Sequence, residues 1–193
     1  MNPLLYQDDV DGIKNQIVQL SYSKMCDHFV NSYAKISATE KTQIRQASLH
    51  IRDLVPVSNI QILDAAGSWE EAIQTAARPL LEKHLVEQRY VSRMITAVKQ
   101  FGTYMCLVED TAFVHAGTED GITENCSAIL VLKKPVTFGD RNPKRVRNIV
   151  IMGIREKTED SFLKLVYIFA NEENRKLLAG KSITVSQIED MGE

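Results

Sequence analysis

Two short, almost unbroken apolar runs constrain this chain more than any other feature: residues 127–132 (SAILVL) and 146–154 (VRNIVIMGI). A strand with one face in water alternates apolar and polar residues, whereas a strand covered on both faces is apolar nearly throughout. These runs therefore predict a sheet buried between layers. Two further strand-like runs are residues 60–65 (IQILDA) and 104–108 (YMCLV).

Helical signals fall between and after them. Ser68 and Glu71 have the spacing of a capping box, in which each side chain satisfies a backbone N–H of the other's residue. The helix they open carries Ala72, Ala76, Leu80 and Leu81 on one face, and Pro79 predicts a kink or break within it. Residues 87–101 put Val91, Met94, Ile95 and Val98 inward and stop at Gly102. Residues 162–169 show helical spacing, and 172–178 and 184–188 read as closing helices, the last opened by Ser182-Ile183-Thr184, which offers cap hydroxyls. Strands interleaved with helices from about residue 57 onward make an α/β layered domain.

Residues 1–55 read differently. Val10, Ile13, Ile17 and Leu20 repeat at helical spacing, and Met25, Phe29 and Tyr33 mark a second amphipathic stretch. Residues 37–52 are polar. The expectation is a helical N-terminal extension over 1–55, without a core of its own, and a domain over 56–193.

Composition excludes several functions. The net charge of -2 gives no reason to expect nucleic-acid binding by this segment. No apolar run approaches the ~20 residues that span a bilayer, and no secretory signal opens the chain. Cys26, Cys106 and Cys126 have neither zinc nor redox spacing, and the last two sit in apolar runs as reduced core residues do. These features fit the cytoplasm. No phosphate loop, serine nucleophile elbow or metal-ligand cluster occurs.

Of the four histidines, His28, His50 and His84 sit in polar helical surroundings. His115 differs: it follows the apolar Ala112-Phe113-Val114 and precedes Ala116-Gly117-Thr118-Glu119-Asp120-Gly121. A strand ending in a small-residue loop sets a side chain at the sheet edge, and glycines let backbone N–H groups approach an anion.

Around His115 the residues resemble a family. Lys99-Gln100-Phe101-Gly102-Thr103-Tyr104, then Thr111-Ala112-Phe113-Val114-His115-Ala116, then Glu119-Asp120-Gly121-Ile122 follow the order of its K-F-G-P-Y, A-x-P-H-A and E-D-G-V stretches. Leu130-Val131-Leu132-Lys133-Lys134-Pro135-Val136 resembles its L-V-L-K-x-P-V segment. The family is the enzyme IIA domain of the mannitol, fructose and ascorbate class of the phosphoenolpyruvate-dependent sugar phosphotransferase system. The resemblance covers about residues 57 to 190.

It implies a mixed β-sheet flanked by helices on both faces, and a phosphoryl group received by His115 from the phosphocarrier protein HPr and passed to a cysteine of a IIB domain. It implies no cofactor and no metal. The family's second histidine is missing, since none follows His115, and Val114 stands where the family has proline. An arginine that the fructose and mannitol branch carries upstream has Lys99 as its nearest basic counterpart, with Arg93 earlier. Lys99 is thus the expected phosphate stabiliser.

Asn2-Pro3-Leu4-Leu5 followed by Asp8-Asp9 resembles the end of a galactitol-type IIB domain, and IIB followed by IIA is the C-terminal arrangement of multidomain sugar-operon transcription regulators. Three expectations result: a IIA-like module regulating sugar-operon transcription, a working IIA phosphocarrier, and a non-phosphorylated interaction domain.

Overall fold

The two apolar runs pair with each other at the centre of one sheet. In the computed structural model, residues 49–155 and 159–192 are described. Strand β1 is Ile60–Leu63, β2 Asp110–Val114, β3 Cys126–Phe138 and β4 Lys144–Gly153. The strand order is β1-β3-β4-β2. β3 and β4 are antiparallel, with Cys126 opposite Gly153 and Leu130 opposite Ile149. β1 joins β3 in parallel, and β2 joins β4 in parallel. The central strands are flanked by neighbours and covered above and below, which is why their sequences do not alternate.

Helix α1 is Ile51–Leu54, α2 Trp69–Glu82, α3 Gln88–Phe101, α4 Glu159–Ala170, α5 Glu172–Leu178 and α6 Val185–Glu189. One sheet face presents Ala112, Val114, Ala128, Leu130, Leu132, Ile149 and Ile151 to Ile73, Leu80, Val91, Met94 and Val98 of α2 and α3. The opposite face carries the alternate residues. There Phe113 meets Phe169 of α4 edge-on, with ring centres 5.9 Å apart. Each such large side chain contributes roughly 1.5–3 kcal/mol through burial. The mixed sheet with helices on both faces is the architecture expected.

Two local expectations change. Residues 104–108 are not a strand: Cys106 N–H turns back to the Thr103 carbonyl at 3.1 Å, and Leu107 is exposed. The strand beside β4 is Asp110–Val114 instead, and Met105 fills the core from the preceding loop. Apolar content alone does not separate a strand from a loop that packs inward.

Nor does Pro79 break α2. Proline lacks the N–H that would reach the carbonyl four residues back, Thr75. Gln61 on β1 replaces it, with Nε2 donating to the Thr75 carbonyl at 2.9 Å. Of the expected Ser68 capping box one half forms: Ser68 Oγ accepts from Glu71 N–H at 3.2 Å, while the Glu71 carboxylate accepts from Gly67 N–H at 2.7 Å. At Thr184 the cap is complete, with Oγ1 accepting from Gln187 N–H and the Gln187 side chain accepting from Thr184 N–H.

Residues 50–55 pack with the domain. Ile51 and Val55 are fully buried, and Ile51 N–H reaches the Met191 carbonyl at 2.9 Å. The earlier helices expected over residues 8–20 and 23–34, with His28, Cys26 and the IIB-like opening, lie outside the described residues. Among the described residues no helix is long and apolar enough to cross a membrane.

Candidate functional site

β2 delivers His115 to its C-terminal end, where the chain leaves the sheet. The residue is half-buried, and its Nε2 is sheltered from solvent. Nδ1 lies 3.2 Å from the Phe113 carbonyl oxygen. A carbonyl only accepts, so Nδ1 carries the proton and the ring lone pair sits on Nε2. Burial holds the imidazole pKa below its ordinary 6.5, and the Phe113 hydrogen bond opposes that shift without cancelling it. At neutral pH the ring is therefore uncharged, with one nucleophilic nitrogen of defined direction.

The loop after His115 is braced from α3. Tyr90 is fully buried. Its hydroxyl donates to the Met152 carbonyl on β4 at 2.6 Å and accepts from Ala116 N–H at 3.0 Å. One phenol thus ties the residue after His115 to the end of the neighbouring strand. The loop then makes a 3₁₀ turn over Thr118–Asp120, closed by Asp120 Oδ2 accepting from Gly117 N–H at 3.0 Å.

Of the motif's two glycines only the second is demanded by its surroundings: a Cβ on Gly117, at φ -69°, would meet only the exposed, movable Glu119 carboxylate. Gly121 has φ +105°, and a Cβ there would lie 2.9 Å from both Glu87 Cβ and Arg89 Nε. Its carbonyl accepts from Glu87 N–H at 2.8 Å, which docks the loop on the start of α3.

Of the basic residues considered, the structure brings Arg93 to this loop and not Lys99. Arg93 Nε is 3.8 Å from Asp120 Oδ2. Lys99 lies nine residues beyond Tyr90 on α3, roughly 13 Å further along the axis at ~1.5 Å per residue. Its Nζ is 3.2 Å from Glu70 Oε1 and 5.8 Å above the Trp69 ring. Trp69 packs on Phe138, the last residue of β3, whereas the Tyr90 bridge sits where β4 ends. The expected Lys99–His115 pairing is not formed, because the helix carries the two residues to opposite ends of the sheet.

Of the other histidines among the described residues, His50 precedes α1, where its N–H meets Asp53, and His84 follows α2 with φ 56°. Burial pushes the Cys106 and Cys126 thiols up to about 11, so both stay protonated at neutral pH. Among the described residues no group of three or more His, Cys, Asp or Glu could hold a metal ion. Tyr90 was the residue sequence reasoning passed over. The available signal was a hydroxyl on an otherwise apolar helix face, since a buried phenol needs a partner.

Comparison with known proteins bears on this arrangement. The family described as phosphoenolpyruvate-dependent sugar phosphotransferase system, EIIA 2, matches residues 53–188. The ascorbate-specific PTS system EIIA component of Mycoplasma pneumoniae is 32% identical over 91 residues, 47% of this chain and 57% of that protein. That of Escherichia coli K12 is 27% identical over 130 residues, 65% of this chain and 84% of that protein. The complex of enzyme IIAMTL and phosphorylated enzyme IIBMTL from Escherichia coli shares the fold, with TM-score 0.58 and 23% identity over 68% of this chain and 91% of that one.

Proposed function

Because the chain belongs to the EIIA 2 family of the phosphoenolpyruvate-dependent sugar phosphotransferase system, we propose that His115 is its phosphoacceptor. The observation that carries this is the fixed tautomer: Nδ1–H is held by the Phe113 carbonyl, and Nε2 keeps the lone pair. Nε2 attacks the phosphorus of the phosphohistidine on HPr. A new P–N bond forms as the donor's P–N bond breaks, and the positive charge that develops on the His115 ring is eased by the Phe113 carbonyl. No metal is required. Nε2 is sheltered, so its cover gives way as the donor docks. Arg93, already drawn to Asp120, is the cation placed to follow the phosphoryl oxygens.

In this reading the module is cytoplasmic, and the phosphorylation state of His115 reports sugar transport and controls transcription of a sugar operon through a fused or partner regulator. The absence of any histidine after His115 supports it, because rapid onward transfer benefits from a second imidazole. A working carrier that passes phosphate to a IIB protein is the second reading, favoured by the fold shared with a IIA protein solved in complex with phosphorylated IIB. In either case IIB is a partner.

Incubation with phosphoenolpyruvate, enzyme I and HPr tests the acceptor. The chain gains about 80 Da, one phosphoryl group, and His115→Ala does not. No gain, or a gain retained in His115→Ala, overturns the proposal. Adding a IIB protein separates the two readings: rapid movement of the label to IIB supports the carrier, and retention on this chain supports the regulator.

A further inference from the structure

At the opposite end of the parallel strands lies a second polar site. Asp110 on β2 pairs with Val146 and Thr111 with Asn148, so Arg147 is an extra residue, a β-bulge on β4. A bulge bends the strand and re-aims a side chain. Arg147 is 8% exposed. Its Nη1 donates to the Leu132 and Lys133 carbonyls at 3.2 and 2.6 Å. Its Nε is buried without a hydrogen-bond partner. Beside it Asn148, 2% exposed, donates through Nδ2 to Thr111 Oγ1, while its own Oδ1 is buried and unpartnered.

These two residues line a pocket of about 300 Å³ shared with Glu109, Asp110, Glu172, Arg175 and Lys176. The carboxylates there already have cations: Glu109 pairs with Arg175 at 2.7 Å, Asp110 with Arg145 at 3.0 Å and Glu172 with Lys176 at 2.9 Å. Among the described residues none is within ion-pair distance of Arg147. A guanidinium held nine-tenths out of water with no counter-charge is unfavourable unless an anion reaches it. Its planar donor fork suits a phosphate or a carboxylate.

We propose that this pocket binds a small molecule through one phosphate or carboxylate group, with Arg147 as the anchor and Arg175 and Lys176 at the rim. Five residues of β2, roughly 16 Å at ~3.3 Å each, separate it from His115. It is a site apart from the phosphoacceptor and does not depend on that reading.

The test uses the full chain with inorganic phosphate and, separately, acetate. In an NMR titration the Arg147 Nε–H resonance shifts saturably in the millimolar range with at least one of them. With 20 mM of the bound anion the Tm rises by about 6 °C over chloride at equal ionic strength, the rise expected for a dissociation constant near 1 mM. That rise is lost in Arg147→Met. A response to phosphate alone assigns a phosphorylated ligand, and a response to acetate alone a carboxylate. The wild-type titration decides the matter even if the variant does not fold. An Arg147 resonance unmoved by either anion to 50 mM, or a Tm rise retained in folded Arg147→Met, overturns the site.

Discussion

Tyr90→Phe tests the bracing of the candidate site directly, because it removes one oxygen and keeps the ring. The hydroxyl satisfies two groups at once: the buried Met152 carbonyl at 2.6 Å and the Ala116 N–H at 3.0 Å. Neither has an obvious substitute once the oxygen is gone. An orphaned buried polar group costs about 1–3 kcal/mol. Met152 is 4% exposed and belongs at the upper part of that range, whereas the Ala116 amide is only part-buried and belongs near the bottom. The sum is about 3–4 kcal/mol. For a domain of this size 1 kcal/mol corresponds to about 3–4 °C, so the Tm falls by about 9–16 °C. Thermal denaturation at pH 7.5 followed by circular dichroism reads it. Phosphorylation of His115 slows as well, since the residue following it loses its tether to α3. Hydrogen exchange at Ala116 accelerates more than at neighbouring strand amides. A Tyr90→Phe protein whose Tm lies within about 2 °C of the parent would refute the reasoning, and the bridge would then be geometric coincidence.

Two of the three basic residues of α3, Arg93 and Lys99, separate by function. Arg93→Ala slows phosphorylation about tenfold, the effect of one aimed charge worth ~1.4 kcal/mol, while Lys99→Ala leaves the rate unchanged within twofold; the reverse pattern in rates measured by mass would return the role to Lys99. His115 also sets a pH dependence. Its folded pKa lies below the 6.5 of an unfolded imidazole, so below that pH the unfolded chain takes up a proton that the folded chain resists. Stability therefore falls as pH drops through 6.5 towards the folded pKa, and is unaffected by this group above about 7.5. Urea midpoints at pH 7.5 and 5.5 should show a larger loss for the wild type than for His115→Asn, and equal losses would count against a buried neutral imidazole.

What the sequence determined by itself are the features whose cause lies within a few residues or within one run. The runs that became β3 and β4 announce burial on both faces through their lack of polar alternation. Ser68 and Thr184 announce helix starts because their hydroxyls reach an amide three residues on. The ordered motifs from Lys99 to Ile122 announce the family, and the break from Val114 into Gly117 announces a side chain at a strand end. Tertiary structure decided the rest, because the decisive partner lies far along the chain. Pro79 is tolerated only because Gln61, on a strand, supplies the hydrogen to Thr75. The strand beside β4 is Asp110–Val114 rather than residues 104–108, since pairing depends on what β4 offers and not on local apolarity. Tyr90 meets Ala116 and Met152 across separations of 26 and 62 residues. Arg93 faces the His115 loop, and Lys99 does not, through the rise of one helix against one sheet. Arg147 is turned into a pocket by a bulge that exists only in the register of two strands. Hydrophobic patterning and capping are local free energies that can be read residue by residue, whereas a hydrogen bond between distant groups depends on their final separation, and only the packed chain sets that distance.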